Sequence, residues 1–73
     1  LLQLAQSFYM IGIPYVGDTI LRDVTDSSVR GYYSAPEHDT VLQSNEYDIM
    51  QEAMGLMKHF NPGLLEQYGV SSQ

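Results

Sequence analysis

Residues 40–60 have the sequence TVLQSNEYDIMQEAMGLMKHF, and this stretch decides the fold class. Its apolar side chains recur at intervals of three and four, the spacing of one helix face. They are Tyr47, Met50, Ala53, Met54, Met57 and Phe60. The opposite face carries Asn45, Asp48, Gln51, Glu52 and Gly55. Acidic residues in the early turns and Lys58 and His59 in the last turn complement the helix dipole. We therefore predict an amphipathic helix over residues 40–60.

Both ends of this helix carry boundary signals. At the start, Thr40 and Gln43 have the spacing of a capping box, and Asp39 or Ser44 are alternative caps. At the end, the sequence Asn61-Pro62-Gly63 breaks the chain, with Asn61 as a cap and Pro62 as a first helical residue. The pattern predicts a short final helix over residues 62–68, ended by Gly69.

The N-terminal segment predicts another helix, over residues 1–12. Its apolar positions are again spaced by three and four: Leu1, Leu4, Ala5, Phe8, and Ile11 or Gly12. Pro14 disfavours helical geometry at Ile13 and so is expected to end this helix. These apolar residues form one face, with Gln3, Gln6 and Ser7 on the other side, and this face can pack against the apolar face of the helix over residues 40–60.

Residues 18–24 and 25–39 have weaker patterns. Asp18 can cap a short helix over residues 18–24, although the Thr and Val content of this segment leaves a short strand as an alternative. Residues 25–39 are rich in turn and helix-breaking residues and predict an irregular loop. A loop of this length is unusual in a compact domain, so we expect it to be functional or to pack against a neighbour. Within it, Tyr32 and Tyr33 either contact a partner or cover the small core.

The chain as a whole is predicted to be one small module, residues 1–73. Its fold class is mainly α, with three to four short helices and one long irregular loop. These helices build a thin core, which leaves many aromatic and aliphatic side chains without cover. We therefore expect packing on partner proteins to complete the fold.

Composition excludes several functions. Charged residues make up 16% of the 73 residues, against about 25% in ordinary soluble domains. Nine acidic residues against three basic ones give a formal charge of −6, so direct nucleic-acid binding is not expected. The sequence has no cysteine, which rules out disulfides, thiolate metal sites and a cysteine nucleophile.

The sequence contains no convincing catalytic, cofactor or metal motif. The cluster Glu37-His38-Asp39 is compact, but adjacent residues seldom converge on one metal ion. A calcium loop beginning at Asp26 would place Arg30 among its ligands. No serine has the flanking glycines of a nucleophile elbow. We therefore predict no enzymatic activity, no cofactor and no metal.

Residues 1–16 are the one segment through which membrane association is conceivable. The continuous apolar run, residues 8–16, is far shorter than the roughly 20 residues of a spanning helix. No basic residues precede it, which argues against a signal peptide. Membrane association is therefore not the expected role.

The leading functional hypothesis is a non-enzymatic accessory or structural subunit that packs against larger proteins. The candidate interface consists of Leu1, Leu4, Phe8, Tyr9, Met10, Ile13, Tyr15, Tyr32, Tyr33, Met50, Met54 and Met57. Low charge with many aromatics is typical of such contact surfaces.

Two alternatives remain open. The first is a processed internal structural peptide of a viral capsid, which is suggested by the missing first methionine and the terminal Gln73. An acidic regulator or inhibitor that binds a basic protein surface is the other. Eight of the nine acidic residues lie between residues 18 and 52, which supports this second alternative.

Overall fold

Four helices follow one another in the computed structural model, which describes residues 1–70. They are α1 (Leu2–Met10), α2 (Pro14–Ser34), α3 (Thr40–Phe60) and α4 (Pro62–Gln67). The prediction of a mainly α fold is confirmed, and the described residues contain no strand. Two of the helices are 21 residues long, so they are not short as expected.

Helix α3 has the predicted bounds, and its caps explain why. Asp39 is the N-cap, and its Oδ1 accepts a hydrogen bond from the backbone N–H of Leu42 at 3.1 Å. Asn61 caps α4 in the same way, accepting from the N–H of Leu64 at 3.3 Å, and Pro62 is the first residue of that helix. Gly69 follows α4 with a φ of +76°, the left-handed conformation that favours glycine.

The predicted loop over residues 25–39 is wrong for most of its length. Helix α2 runs continuously from Pro14 to Ser34, so it also replaces the short element predicted at 18–24. The loop is only residues 35–39, where Pro36 holds Ala35 in an extended conformation. Pro14 also begins α2, since proline is well tolerated at a first helical position.

The buried face of α2 explains why its periodicity was missed. The buried positions of α2 are Gly17, Leu21, Thr25 and Ser28, which have helical spacing but include only one large apolar residue. A pattern search based on hydrophobicity therefore misses this face. Packing against α1 and α3 stabilises the helix despite its turn-forming residues, because tertiary burial supplies most helical stability in proteins.

Helix α1 ends at Met10, two residues earlier than predicted. Gly12 adopts a φ of +86°, a conformation that stops the helix and that other residues rarely adopt. The N–H of Gly12 donates to the carbonyl of Tyr9 at 3.2 Å, and that of Ile13 to the carbonyl of Phe8 at 2.9 Å. These bonds form a tight turn, from which Pro14 starts α2.

The core is small. Helices α2 and α3 form an antiparallel hairpin, α1 packs mainly on α2, and α4 closes the end of α3. The buried apolar side chains are Ala5, Leu21, Ala53, Met57, Leu64 and Leu65. The molecule measures 42 × 25 × 14 Å, and its 14 Å dimension has no room for a third layer of helices at the usual spacing of about 8–10 Å. Large parts of the helix surfaces therefore remain uncovered.

One core position offers a test of this packing. Thr25 is fully buried, and its hydroxyl has no hydrogen-bond partner among residues 1–70. Thr25→Val keeps the shape and removes the unsatisfied group, so we expect the free energy of unfolding to rise by about 1–2 kcal/mol in urea denaturation.

The matched control for this change is Thr19→Val on the exposed side of the same helix. The Thr19 hydroxyl donates to the carbonyl of Tyr15 at 3.0 Å, and its loss is expected to change stability by less than about 0.5 kcal/mol. A Thr25→Val variant no more stable than Thr19→Val would contradict the interpretation of Thr25 as an unsatisfied core residue.

Candidate interaction surface

Helix α1 turns its most regular apolar face away from the core. Its buried side consists of Leu2, Ala5 and Tyr9, of which Ala5 is fully buried. The other residues of the predicted apolar face lie about a quarter to a third of a turn away, and we call them the α1 stripe. They are Leu1 (83% exposed), Leu4 (48%), Ile11 (67%) and the partly buried Phe8. The predicted apolar face therefore enters the chain's own core through Ala5, whereas its large side chains do not.

Tyr9 explains this orientation of α1. Its ring stacks on Phe60 of α3 with the centroids 4.7 Å apart and the planes nearly parallel. Its hydroxyl donates to Asp18 Oδ1, which also accepts from Asn61 Nδ2 at 3.0 Å. Burial, together with the neighbouring Asp18 carboxylate, raises the pKa of Tyr9 well above its usual value. These contacts join α1 to α2 and α3, and they fix which side of α1 faces inward.

Tyr68 makes a similar contact at the other end of the chain. Its hydroxyl donates to Asp26 Oδ1 at 2.7 Å, which ties the end of α4 to α2. Partial burial and the hydrogen bond to Asp26 raise the pKa of Tyr68 to about 12. Close by, Arg22 Nη2 donates to Gln67 Oε1 at 3.3 Å. Asp18 and Asp26 therefore serve the fold and are already bonded to tyrosines.

The remaining residues of the predicted interface do not form one patch. Met57 is fully buried in the chain's own core, so its assignment to an interface is wrong for this structure. Met50 and Met54 are partly buried, and Met54 packs against the core. Met10 and Tyr15 are exposed and flank the turn between α1 and α2, where Ile13 is partly buried.

A separate aromatic cluster lies where α2 and α3 join. The rings of Tyr32 and Tyr33 meet edge to face at 5.2 Å, and Tyr47 of α3 lies 6.4 Å from Tyr32. Tyr33 is 80% exposed, whereas Tyr32 is partly buried. The partly buried ring of Tyr32 fits the interpretation as cover for the small core, whereas the exposed ring of Tyr33 is free to contact a partner.

Sequence reasoning missed a groove in which α1, α2 and α3 meet. Its volume is about 510 Å³, and Leu1 lies at its border with the α1 stripe. We call it the acidic groove, and it is lined by Leu2, Val24, Ile49, Asp23, Glu46 and Glu52. No local pattern could reveal it, because its residues come from three helices and the course of α2 was not predicted.

The three carboxylates of the acidic groove have no cation beside them. Within residues 1–70, neither Asp23, Glu46 nor Glu52 forms an ion pair or a hydrogen bond with a side chain. Glu46 is partly buried and lies against α2, so that a Cβ added at Gly31 would come within 2.8 Å of the Glu46 carboxyl group. The absence of a side chain at Gly31 thus makes room for this carboxylate.

The structure also shows what the described residues do not contain. No helix among residues 1–70 combines the length and the apolar character needed to cross a membrane. In the same part of the chain, no three histidine or acidic side chains are grouped so that they could hold a metal ion. His38 is exposed in the loop before α3, and His59 lies at the far end of that helix, with its ring edge-on to Phe60.

Comparison with known proteins reveals no relative. No protein-family model matches the chain, and no curated protein or solved structure shows significant similarity to it. The exposed apolar surface and the acidic groove are therefore the features of the molecule that bear on its function.

Proposed function

We propose that this chain is a non-enzymatic accessory or structural subunit that packs against a larger protein through the α1 stripe. The observation that carries the proposal is an ordered helix with two apolar faces, of which the fold buries only one. Residues 1–17 contain no charged side chain, so no charge has to lose its hydration when a partner covers the α1 stripe. Covering a large aliphatic side chain contributes roughly 1.5–3 kcal/mol, which is a substantial driving force for association.

The small core supports the same proposal. Among residues 1–70, six apolar side chains are buried, whereas Leu1, Met10 and Ile11 at the two ends of α1 are at least 67% exposed. An exposed apolar residue is ordinary when it stands alone, but a contiguous row of them marks an interaction surface. A partner laid along α1 would cover such a row without any change in the four-helix fold.

The experiment compares the isolated chain with surface variants by analytical ultracentrifugation and by binding of a hydrophobic dye. We expect the isolated chain to associate with itself and to bind the dye, because no partner covers the stripe. The double variant Leu4→Gln/Ile11→Gln should reduce both signals at least about tenfold, since each change removes a side chain worth roughly 1.5–3 kcal/mol when covered.

The control is Val41→Gln, which removes a 70% exposed aliphatic side chain outside the stripe. This variant should associate and bind the dye as the unchanged chain does. Circular dichroism would verify that all variants keep their helix content. A strictly monomeric chain that unfolds cooperatively and binds no dye would overturn the proposal that a partner completes this surface.

A further inference from the structure

The acidic groove has uncompensated negative charge. Three carboxylates line it: Asp23 comes from α2, and Glu46 and Glu52 come from α3. The aliphatic residues Val24 of α2 and Ile49 of α3 lie beside them. None of the three has a basic partner in the part of the chain that the structure describes. A partly buried carboxylate such as Glu46 interacts more strongly with a cation than an exposed one does, because water screens it less.

A second feature of the groove points to a ligand independently of charge. Ser28 lines the groove and is only 3% exposed, yet its hydroxyl forms no hydrogen bond with any residue in 1–70. By contrast, the exposed hydroxyls of Ser7 and Thr19 each donate to the backbone carbonyl four residues earlier. The unpaired Ser28 hydroxyl is open to the groove and is not enclosed by the protein, so it is available to accept a hydrogen bond from a group that enters the groove.

The rest of the groove is apolar. Leu2, Val24 and Ile49 contribute aliphatic surface between the carboxylates, and Leu1 continues this surface into the α1 stripe. A lysine or arginine side chain combines the two required properties, since its stem packs on apolar surface while its head meets carboxylates. Neither a purely apolar segment nor an anion would satisfy the carboxylates.

We infer that the acidic groove receives lysine or arginine side chains of a basic amphipathic helix in the partner protein, whose apolar face covers the α1 stripe. This inference rests on the proposed function and specifies the chemistry of the partner. Helix-in-groove recognition uses the same combination of apolar anchors and charge complementarity. The groove volume of about 510 Å³ lies within the range of about 300–1,000 Å³ typical of binding pockets.

The test uses a synthetic helical peptide of about 18 residues, with leucines on one face and lysines on the other. Its fluorescence anisotropy is titrated with the 1–73 chain at about 50 mM and about 300 mM NaCl. We expect saturable binding that weakens with salt, and no binding of a peptide in which glutamate replaces every lysine. The double variant Glu46→Gln/Glu52→Gln should weaken binding roughly threefold to twentyfold.

The matched control is Glu37→Gln/Asp48→Asn, which removes the same net charge from exposed positions outside the groove. It should change the affinity less than about twofold. An equal loss in the two double variants would overturn the inference, because net charge alone would then explain binding. Binding that is insensitive to salt and to both double variants, but is lost in Leu4→Gln/Ile11→Gln, would overturn it while leaving the proposed function intact.

Self-association gives the last outcome. If the chain forms a dimer that Glu46→Gln/Glu52→Gln leaves unchanged and that excludes the lysine peptide, a second copy occupies the surface and the inference is wrong. If the lysine peptide dissociates the dimer, the basic helix is the preferred occupant, which supports the inference.

Discussion

Met57→Ala is expected to lower the free energy of unfolding by about 2–5 kcal/mol, the range found when a buried methionine or leucine is truncated in a packed core. Met57 is fully buried among the six apolar residues of the core. A domain of 73 residues has a total stability of roughly 4–11 kcal/mol, so this loss would be a large fraction of the total. Urea denaturation followed by circular dichroism measures the effect.

Met10→Ala is the control for this prediction. Met10 is 72% exposed, and its truncation should change the free energy of unfolding by less than about 0.5 kcal/mol. The comparison also distinguishes a core methionine from a surface methionine, since the sequence predicted both Met57 and Met10 to be interface residues. If Met57→Ala were as stable as Met10→Ala, Met57 would be an interface residue after all, and the core described above would be incorrect.

Gly17→Ala is expected to destabilise the protein by about 1–3 kcal/mol, although alanine normally stabilises a helix relative to glycine. A Cβ at position 17 would lie 2.7 Å from Cε2 of the Tyr9 ring. That ring is held by stacking on Phe60 and by the hydrogen bond to Asp18, so it cannot move aside without weakening one of them. The variant should therefore loosen α1 from α2 and α3.

Gly55→Ala is the matched change in the other long helix. Gly55 is exposed within α3, and an added Cβ would meet no atom within 4 Å. Only the helix propensity changes there, so we expect a gain of about 1 kcal/mol. The two identical substitutions thus have opposite expected signs, which thermal unfolding of both variants would measure. A stabilising Gly17→Ala would show that Tyr9 does not pack against α2 as described.

Tyr9 also determines the position of the candidate surface. Its contacts with Phe60 and Asp18 hold the side of α1 that carries Leu2 and Ala5 against the core. The α1 stripe is thus exposed because a few specific contacts outweigh a stronger simple hydrophobic pattern.

The sequence by itself determined the elements whose signals are local. Helix α3, its following cap at Asn61, the start of α4 at Pro62 and the break at Gly69 were all predicted correctly. Caps, proline and glycine act within a few residues, and α3 has a strong amphipathic period, so no distant contact is needed to recognise them. The mainly α fold class followed from this helix and its neighbours.

Only the tertiary structure decided the length of α2, the inward face of α1 and the existence of the acidic groove. Residues 25–34 carry turn-forming side chains, yet burial of Thr25 and Ser28 between neighbouring helices keeps them helical. The face of α1 depends on Tyr9 meeting Phe60, 51 positions away in the chain. Contacts between distant residues have no local period, so the surface on which the proposed function depends could be found only after the helices were packed.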